Sequence, residues 1–156
     1  MAGQDISGLL LIEKVLLLKS LSIFSDTPET ILAEMAYLLK EVEYAEGAPI
    51  VKEGETGNCM YIIFRGEVRI TKGKELLATL KENDFFGELS LMDTETRSAT
   101  VTAVTDCILF RLDQEPFYDL MESRPEVVKG VIKILCKRIR MANQRIFELT
   151  KSVKMI

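Results

Sequence analysis

The stretch that decides the reading is Phe85-Phe86-Gly87-Glu88-Leu89-Ser90-Leu91-Met92-Asp93-Thr94-Glu95-Thr96-Arg97-Ser98-Ala99-Thr100. Two aromatics and a glycine precede a single turn's worth of helical pattern. An arginine then leads into the β-branched run Thr100-Val101-Thr102-Ala103-Val104. A glycine at the mouth of a short helix lets backbone N–H groups point at an anion. Arg97 offers the planar, two-pronged donor that suits a phosphate better than lysine does. Glu88 repels a phosphate but is suited to accept from a neighbouring hydroxyl, such as that of a ribose. Together the three residues describe a pocket for a sugar phosphate. The plainer alternative is an internal Glu88–Arg97 ion pair, in which desolvating both ions offsets much of their attraction.

Outward from this stretch the pattern has period two. Val42 and Tyr44, then Ile50-Val51 beyond Gly47-Ala48-Pro49, read as two strands joined at a turn. Glu53-Gly54-Glu55-Thr56-Gly57-Asn58 reads as a hairpin loop and Met60-Tyr61-Ile62-Ile63-Phe64 as a buried strand. Arg65-Gly66-Glu67 and Lys72-Gly73-Lys74 are tight connections around Val68 and Ile70, leading into Leu76-Leu77-Ala78-Thr79-Leu80. Glu82-Asn83-Asp84 reads as a further turn, in which asparagine tolerates the left-handed region. Ala99–Val104 and Cys107–Leu112 are the last strands. Short strands with a glycine at nearly every corner predict an α+β chain built on an antiparallel β-roll, a jelly-roll barrel of about eight strands. Helices flank it: Thr27 is the expected N-cap and Pro28 the first residue of a helix facing Ile31, Met35, Leu38 and Leu39 inward. Asp113 is the expected N-cap of another.

The central stretch resembles the phosphate-binding cassette of cyclic-nucleotide-binding domains, the module shared by the catabolite activator protein, protein kinase A regulatory subunits and nucleotide-gated channels. The family pattern, Phe-Gly-Glu-Leu followed by Arg, a small residue and Ala, stands here as Phe86-Gly87-Glu88-Leu89 and Arg97-Ser98-Ala99. Thr94 and Thr96 depart from a common version with Gly and Pro, which bears on loop geometry. The resemblance covers about Leu21 to Asn143. It implies that Arg97 grips the cyclic phosphate, that Glu88 binds the ribose 2′-hydroxyl, and that the N–H groups of Ser90 and Ser98 complete the cradle. It also implies that Leu77 and Val68 pack against the base, with Arg138, Arg140 or Asn143 near its edge. The implied ligand is cAMP, with cGMP as the alternative because Ser98 serves either. The implied activity is regulatory binding without catalysis or a cofactor; a roll that retains these residues as an empty scaffold or dimerisation module is the competing reading.

Two helices carry further patterns. Val128, Ile132, Leu135, Ile139, Ala142, Ile146, Leu149 and Val153 alternate by four and three, an a/d seam of more than three heptads. It predicts either a parallel homodimer or a helix folded back on its own roll. Val127, Val131 and Ile134 widen the apolar face where the helix packs on the barrel. Leu9–Leu18 is apolar on nearly every side. Residues 1–20 therefore form a helical lead-in, either docked on another domain or a second copy, or wrapped on the roll with Leu9, Ile12 and Leu16 inward. Residues 21–156 form the binding domain with its C-terminal helices.

Composition narrows the chemistry. Histidine is absent among 156 residues, which removes Ser-His triads, histidine bases and the histidine-rich metal clusters of cupin enzymes. The net charge is −4, and the basic residues read as scattered, without a footprint for nucleic acid. Cys59, Cys107 and Cys136 have neither zinc nor disulfide spacing and suit a reduced, cytoplasmic setting. The apolar run Leu9–Leu18 is too short to span a bilayer.

Overall fold

The computed structural model describes residues 3–154, with side chains from 10 to 152. Eight strands form two four-stranded sheets: β1 (Lys40–Tyr44), β8 (Cys107–Asp113), β3 (Cys59–Arg65) and β6 (Phe85–Phe86) in one, β2 (Pro49–Val51), β7 (Thr100–Ala103), β4 (Val68–Lys72) and β5 (Glu75–Leu80) in the other. All pairings are antiparallel. Helices cover the outer face of the first sheet: α1 (Gly3–Ser20), a 3-10 turn (Ser22–Phe24), α2 (Glu29–Ala36), α4 (Gln114–Ser123) and α5 (Pro125–Lys154). The chain is thus an α+β roll with three layers.

Strand β3 shows why its sequence is an unbroken apolar run. Met60 and Ile62 pack into the helical layer, whereas Cys59, Tyr61 and Ile63 point between the sheets, so both faces are buried. β8 alternates in the same way, with Phe110 and Leu112 toward the helices and Cys107 and Leu109 between the sheets. Phe86 joins the inter-sheet core and stacks on Tyr61 with centroids 5.2 Å apart.

Several local expectations change. β1 and β2 lie in different sheets, and so do β2 and β3; the Glu53–Asn58 segment is therefore a crossing between sheets and not a hairpin. Sequence period shows where strands are, but the partner of each is fixed by which face must be covered. The N-cap of α2 is Pro28, while Thr27 is buried against the helical layer. Asp113 does cap α4 by position, but its carboxylate pairs with Lys40 and Arg111 instead of the helix N–H groups. Asn83 adopts the left-handed conformation, φ 72°.

Helix α1 begins at Gly3, ahead of the apolar run Leu9–Leu18. Its inward face is Leu10, Leu11, Val15, Leu17 and Leu18, not Ile12 and Leu16, which are 58% and 64% exposed. Among the described side chains one side of the helix is covered, mainly by α2 and the 3-10 turn, with Lys14 over the Phe110 ring of β8. The expectation for Leu9 falls outside the described side chains, as does that for Val153.

Helix α5 buries Val127 and Val131 and half-buries Ile134 in the helical layer, mainly against the 3-10 turn and α4. The seam residues Ile132, Leu135, Ile139, Ala142, Ile146 and Leu149 are exposed, and Val128 is half-buried. The seam is not folded back on the chain's own roll. The basic residues are not scattered either: eight of the 20 lysines and arginines, and two of the 24 acidic residues, fall within Pro125–Lys154.

Candidate functional site

The cassette is a five-residue helix, α3 (Glu88–Met92), entered through Gly87 at φ 81°. Glycine is required there twice over. The conformation is left-handed, and a Cβ would stand 2.5 Å from an Arg97 guanidinium nitrogen and 3.1 Å from the Cys59 carbonyl. Gly57 makes a second clearance: a Cβ there would collide with Arg97 Nε and the Ser90 hydroxyl. Two glycines on opposite sides therefore open the slot that Arg97 occupies.

Arg97 is fixed at both ends. Its backbone N–H donates to the Glu55 carbonyl at 2.7 Å and its carbonyl accepts from Gly54 N–H at 2.9 Å, so the sheet-crossing segment clamps the cassette loop. Its guanidinium donates to Ser90 Oγ at 3.0 Å and to the Cys59 carbonyl at 2.9 Å. Among the described residues no carboxylate lies within 4 Å of it. The internal Glu88–Arg97 pair is absent. Glu88 instead accepts from Arg138 of α5 at 2.7 Å.

Phe86, Gly87, Glu88, Leu89, Ser90, Arg97, Ser98 and Ala99 all border one cavity of about 620 Å³. Its apolar wall across the roll comes from Ile70 of β4 and Leu80 of β5. Val68 is fully buried in the inter-sheet core, one pleat away on the same face as Ile70, and Leu77 is 54% exposed; neither borders the cavity. A register shift in the β4–β5 ladder between Ile70 and Thr71 leaves Leu77 without a partner on β4. Ser90 N–H donates to the Gly87 carbonyl at 3.1 Å, so this residue meets Arg97 through its hydroxyl. Arg140 and Asn143 are exposed on α5.

Arg97 also borders a second cavity of about 630 Å³, behind the cassette, with Tyr61, Arg111 and Asp113. Burial pushes the Tyr61 phenol well above its ordinary value of 10.0, with Cys59 and Tyr44 adding to the effect, so it stays protonated.

The cassette is tied to the helical layer through Gln114, Tyr118 and Arg138, and Thr94 Oγ1 donates to Gln114 Oε1 at 2.9 Å. Tyr118 of α4 donates its hydroxyl proton to the Met92 carbonyl at 2.5 Å, Gln114 Nε2 donates to the Ser90 carbonyl at 3.3 Å, and Arg138 holds Glu88. Neither Gln114 nor Tyr118 carries a sequence signal, because each matters only through the packing of α4 on α3. Gly57 was visible only as a loop glycine. The Cys59 carbonyl has no side-chain signature.

The profile of the cyclic nucleotide-binding domain matches residues 41–124, more than half of the chain, and the chain belongs to that family. It is 30% identical over 132 residues to the CRP-like cAMP-activated global transcriptional regulator of Mycobacterium tuberculosis, covering 81% of this chain and 59% of the relative. It is 35% identical over 149 residues to a cGMP-dependent protein kinase of Eimeria tenella, covering 94% of this chain but 14% of the kinase. The crystal structure of the N-terminal domain of a transcriptional regulator from Streptomyces coelicolor superposes with a TM-score of 0.78 at 27% identity, over 83% of this chain and 94% of that one. The chain thus spans less than two thirds of the length of either curated relative. Among the described residues no helix is long and apolar enough to cross a membrane.

Proposed function

We propose that this chain is a regulatory module that binds a cyclic nucleotide, cAMP in preference to cGMP, and passes the event to its C-terminal helix. The single observation that carries this reading is the separation of the two charged side chains. Arg97 borders the cavity with no carboxylate partner, and Glu88 borders the same cavity held by α5. In this reading Arg97 neutralises the cyclic phosphate, supported by the N–H groups at the start of α3 that the short helix leaves free. Glu88 has a second carboxylate oxygen for the ribose hydroxyl while the first accepts from Arg138. Ile70 and Leu80 take the place of Val68 and Leu77 as the base-facing wall.

Transmission follows from the same contacts. A nucleotide shifts α5 only as far as it favours one helix position over another. Glu88–Arg138 and the α4 bonds to Met92 and Ser90 are where that preference would act. The exposed seam supports a parallel pairing of two copies through Ile132, Leu135, Ile139, Ala142, Ile146 and Leu149. In α1, exposed Ile12 and Leu16 support docking of the lead-in helix on a further domain. The preference for cAMP leans on the relative from Mycobacterium tuberculosis, which is cAMP-activated by name; the Eimeria kinase, named for cGMP, defines the competitor. The regulator's name supports a regulatory role, and the reduced-thiol composition supports a cytoplasmic setting.

Calorimetric titration with cAMP and cGMP, followed by mass measurement with and without ligand, tests the reading. Tighter binding of cAMP by a dimer is the expected result. No heat with either nucleotide would leave an empty scaffold as the better description.

A further inference from the structure

Helix α5 carries a second stripe that neither nucleotide binding nor the apolar seam uses. Lys129, Lys133, Lys137, Arg140, Gln144, Phe147 and Lys151 follow one another at steps of four, four, three, four, three and four. At about 100° per residue these seven share one face, and the line runs for about 33 Å. All seven are exposed, and Phe147, between Arg140 and Lys151 near the C-terminal end of the row, is 61% exposed. Among the described residues, none of the five cations has an acidic side chain within 4 Å. The charge is segregated at the scale of the whole chain. α5 holds eight basic and two acidic residues, a balance of +6, which leaves 12 basic and 22 acidic elsewhere, a balance of −10.

Geometry narrows what would cover such a row. The seam's centre lies about 140° around the helix from the stripe's centre, so pairing through the seam leaves the stripe facing outward. The cations repeat at the helical period along a straight axis. The matching anion array is an acidic stripe with the same period on another helix. A duplex fits poorly, because its phosphates curve away from a straight line and a chain of net −4 repels a long polyanion. Phe147 adds an apolar contact within the row, which calls for an aliphatic residue on the partner.

We propose that the outer face of α5 is a docking surface for an acidic amphipathic α-helix of a partner protein. The row sits on the same helix that grips Glu88 through Arg138, so the docked helix engages the element that contacts the cassette.

The test is fluorescence anisotropy of the full chain with a labelled synthetic peptide of about 23 residues. The peptide carries glutamate at matching steps and one leucine opposite Phe147. A scrambled peptide of equal composition, a short DNA duplex and vesicles containing phosphatidylserine serve as competitors. The expected result is binding of the patterned peptide that is about tenfold or more tighter than the scramble. Binding should weaken as ionic strength rises and fall at least about tenfold in the Lys133→Glu/Arg140→Glu variant, with Phe147→Ala weakened to a lesser degree. Both variants alter exposed positions; circular dichroism and mass measurement verify that fold and seam pairing are intact. Equal binding of the scramble, tighter binding of duplex or vesicles, or no binding at all would overturn the proposal.

Discussion

Replacing Arg97 by alanine separates its structural work from its proposed ligand work. The guanidinium donates to Ser90 Oγ at 3.0 Å, to the Cys59 carbonyl at 2.9 Å and, more weakly, to Cys59 Sγ at 3.4 Å, in a half-buried slot. Truncation leaves Ser90, which is 8% exposed, without that donor. Water entering the vacated slot compensates in part, so we expect a stability loss of about 2 kcal/mol. That lowers Tm by roughly 4–8 °C for a domain of this size. The ligand effect is larger. Loss of one charge-assisted contact to phosphate, about 1.5–3 kcal/mol, weakens binding by about a hundredfold at its upper end. At a cAMP concentration a hundredfold above the wild-type Kd, ligand stabilises the wild type by about 2.7 kcal/mol, and a hundredfold weaker variant by only about 0.4 kcal/mol. Thermal melts with and without cAMP should therefore shift by roughly 5–10 °C in the wild type and by about 1 °C in the variant. An equal shift in both proteins would refute the assignment, because Arg97 would then serve Ser90 and Cys59 alone.

Three further outcomes follow from particular contacts. Gly57→Ala should displace the Arg97 side chain rather than the backbone, since the added methyl meets Arg97 Nε and Ser90 Oγ; titration should show weaker cAMP binding with a Tm change of only a few degrees. Ile139→Asp, at a position 60% exposed in the single chain, should abolish pairing in analytical ultracentrifugation while leaving the fold intact, and a dimer that survives would remove the seam from the interface. Hydrogen bonds from Arg124 hold the Glu34 carboxyl below its ordinary value of 4.5. A depressed folded pKa contributes stability that is present above 4.5 and is lost as pH falls through the folded value. Glu34→Gln should therefore flatten the acid limb of a pH–stability curve, and an unchanged limb would count against the pair.

The cassette could be read without coordinates because its chemistry is local. Gly87, Glu88 and Arg97 lie within eleven consecutive residues, and the left-handed glycine and the short helix are set by neighbours along the chain, whereas Gly54, Glu55 and Cys59 hold the arginine in place. The strands and their buried faces were legible for the same reason: a period of two, or an unbroken run like that of β3, reports burial directly. So was the seam, as a spacing. What the chain order could not supply was the partner of each group. Strand pairing across two sheets converts apparent hairpins into crossings. Glu88 takes Arg138, fifty positions away, and Arg97 takes a main-chain carbonyl at Cys59. The wall of the cavity falls on Ile70 and Leu80 because the sheet pairing, not the order along the chain, brings β4 and β5 beside the cassette. In α1 the pattern is apolar all round, so only the placement of α2 determines that Leu17 and Leu18 are covered while Ile12 and Leu16 are not. Sequence alone settles what a residue offers and which local geometry it permits; the tertiary structure settles what it meets, because contacts between distant segments depend on how whole faces are buried against one another.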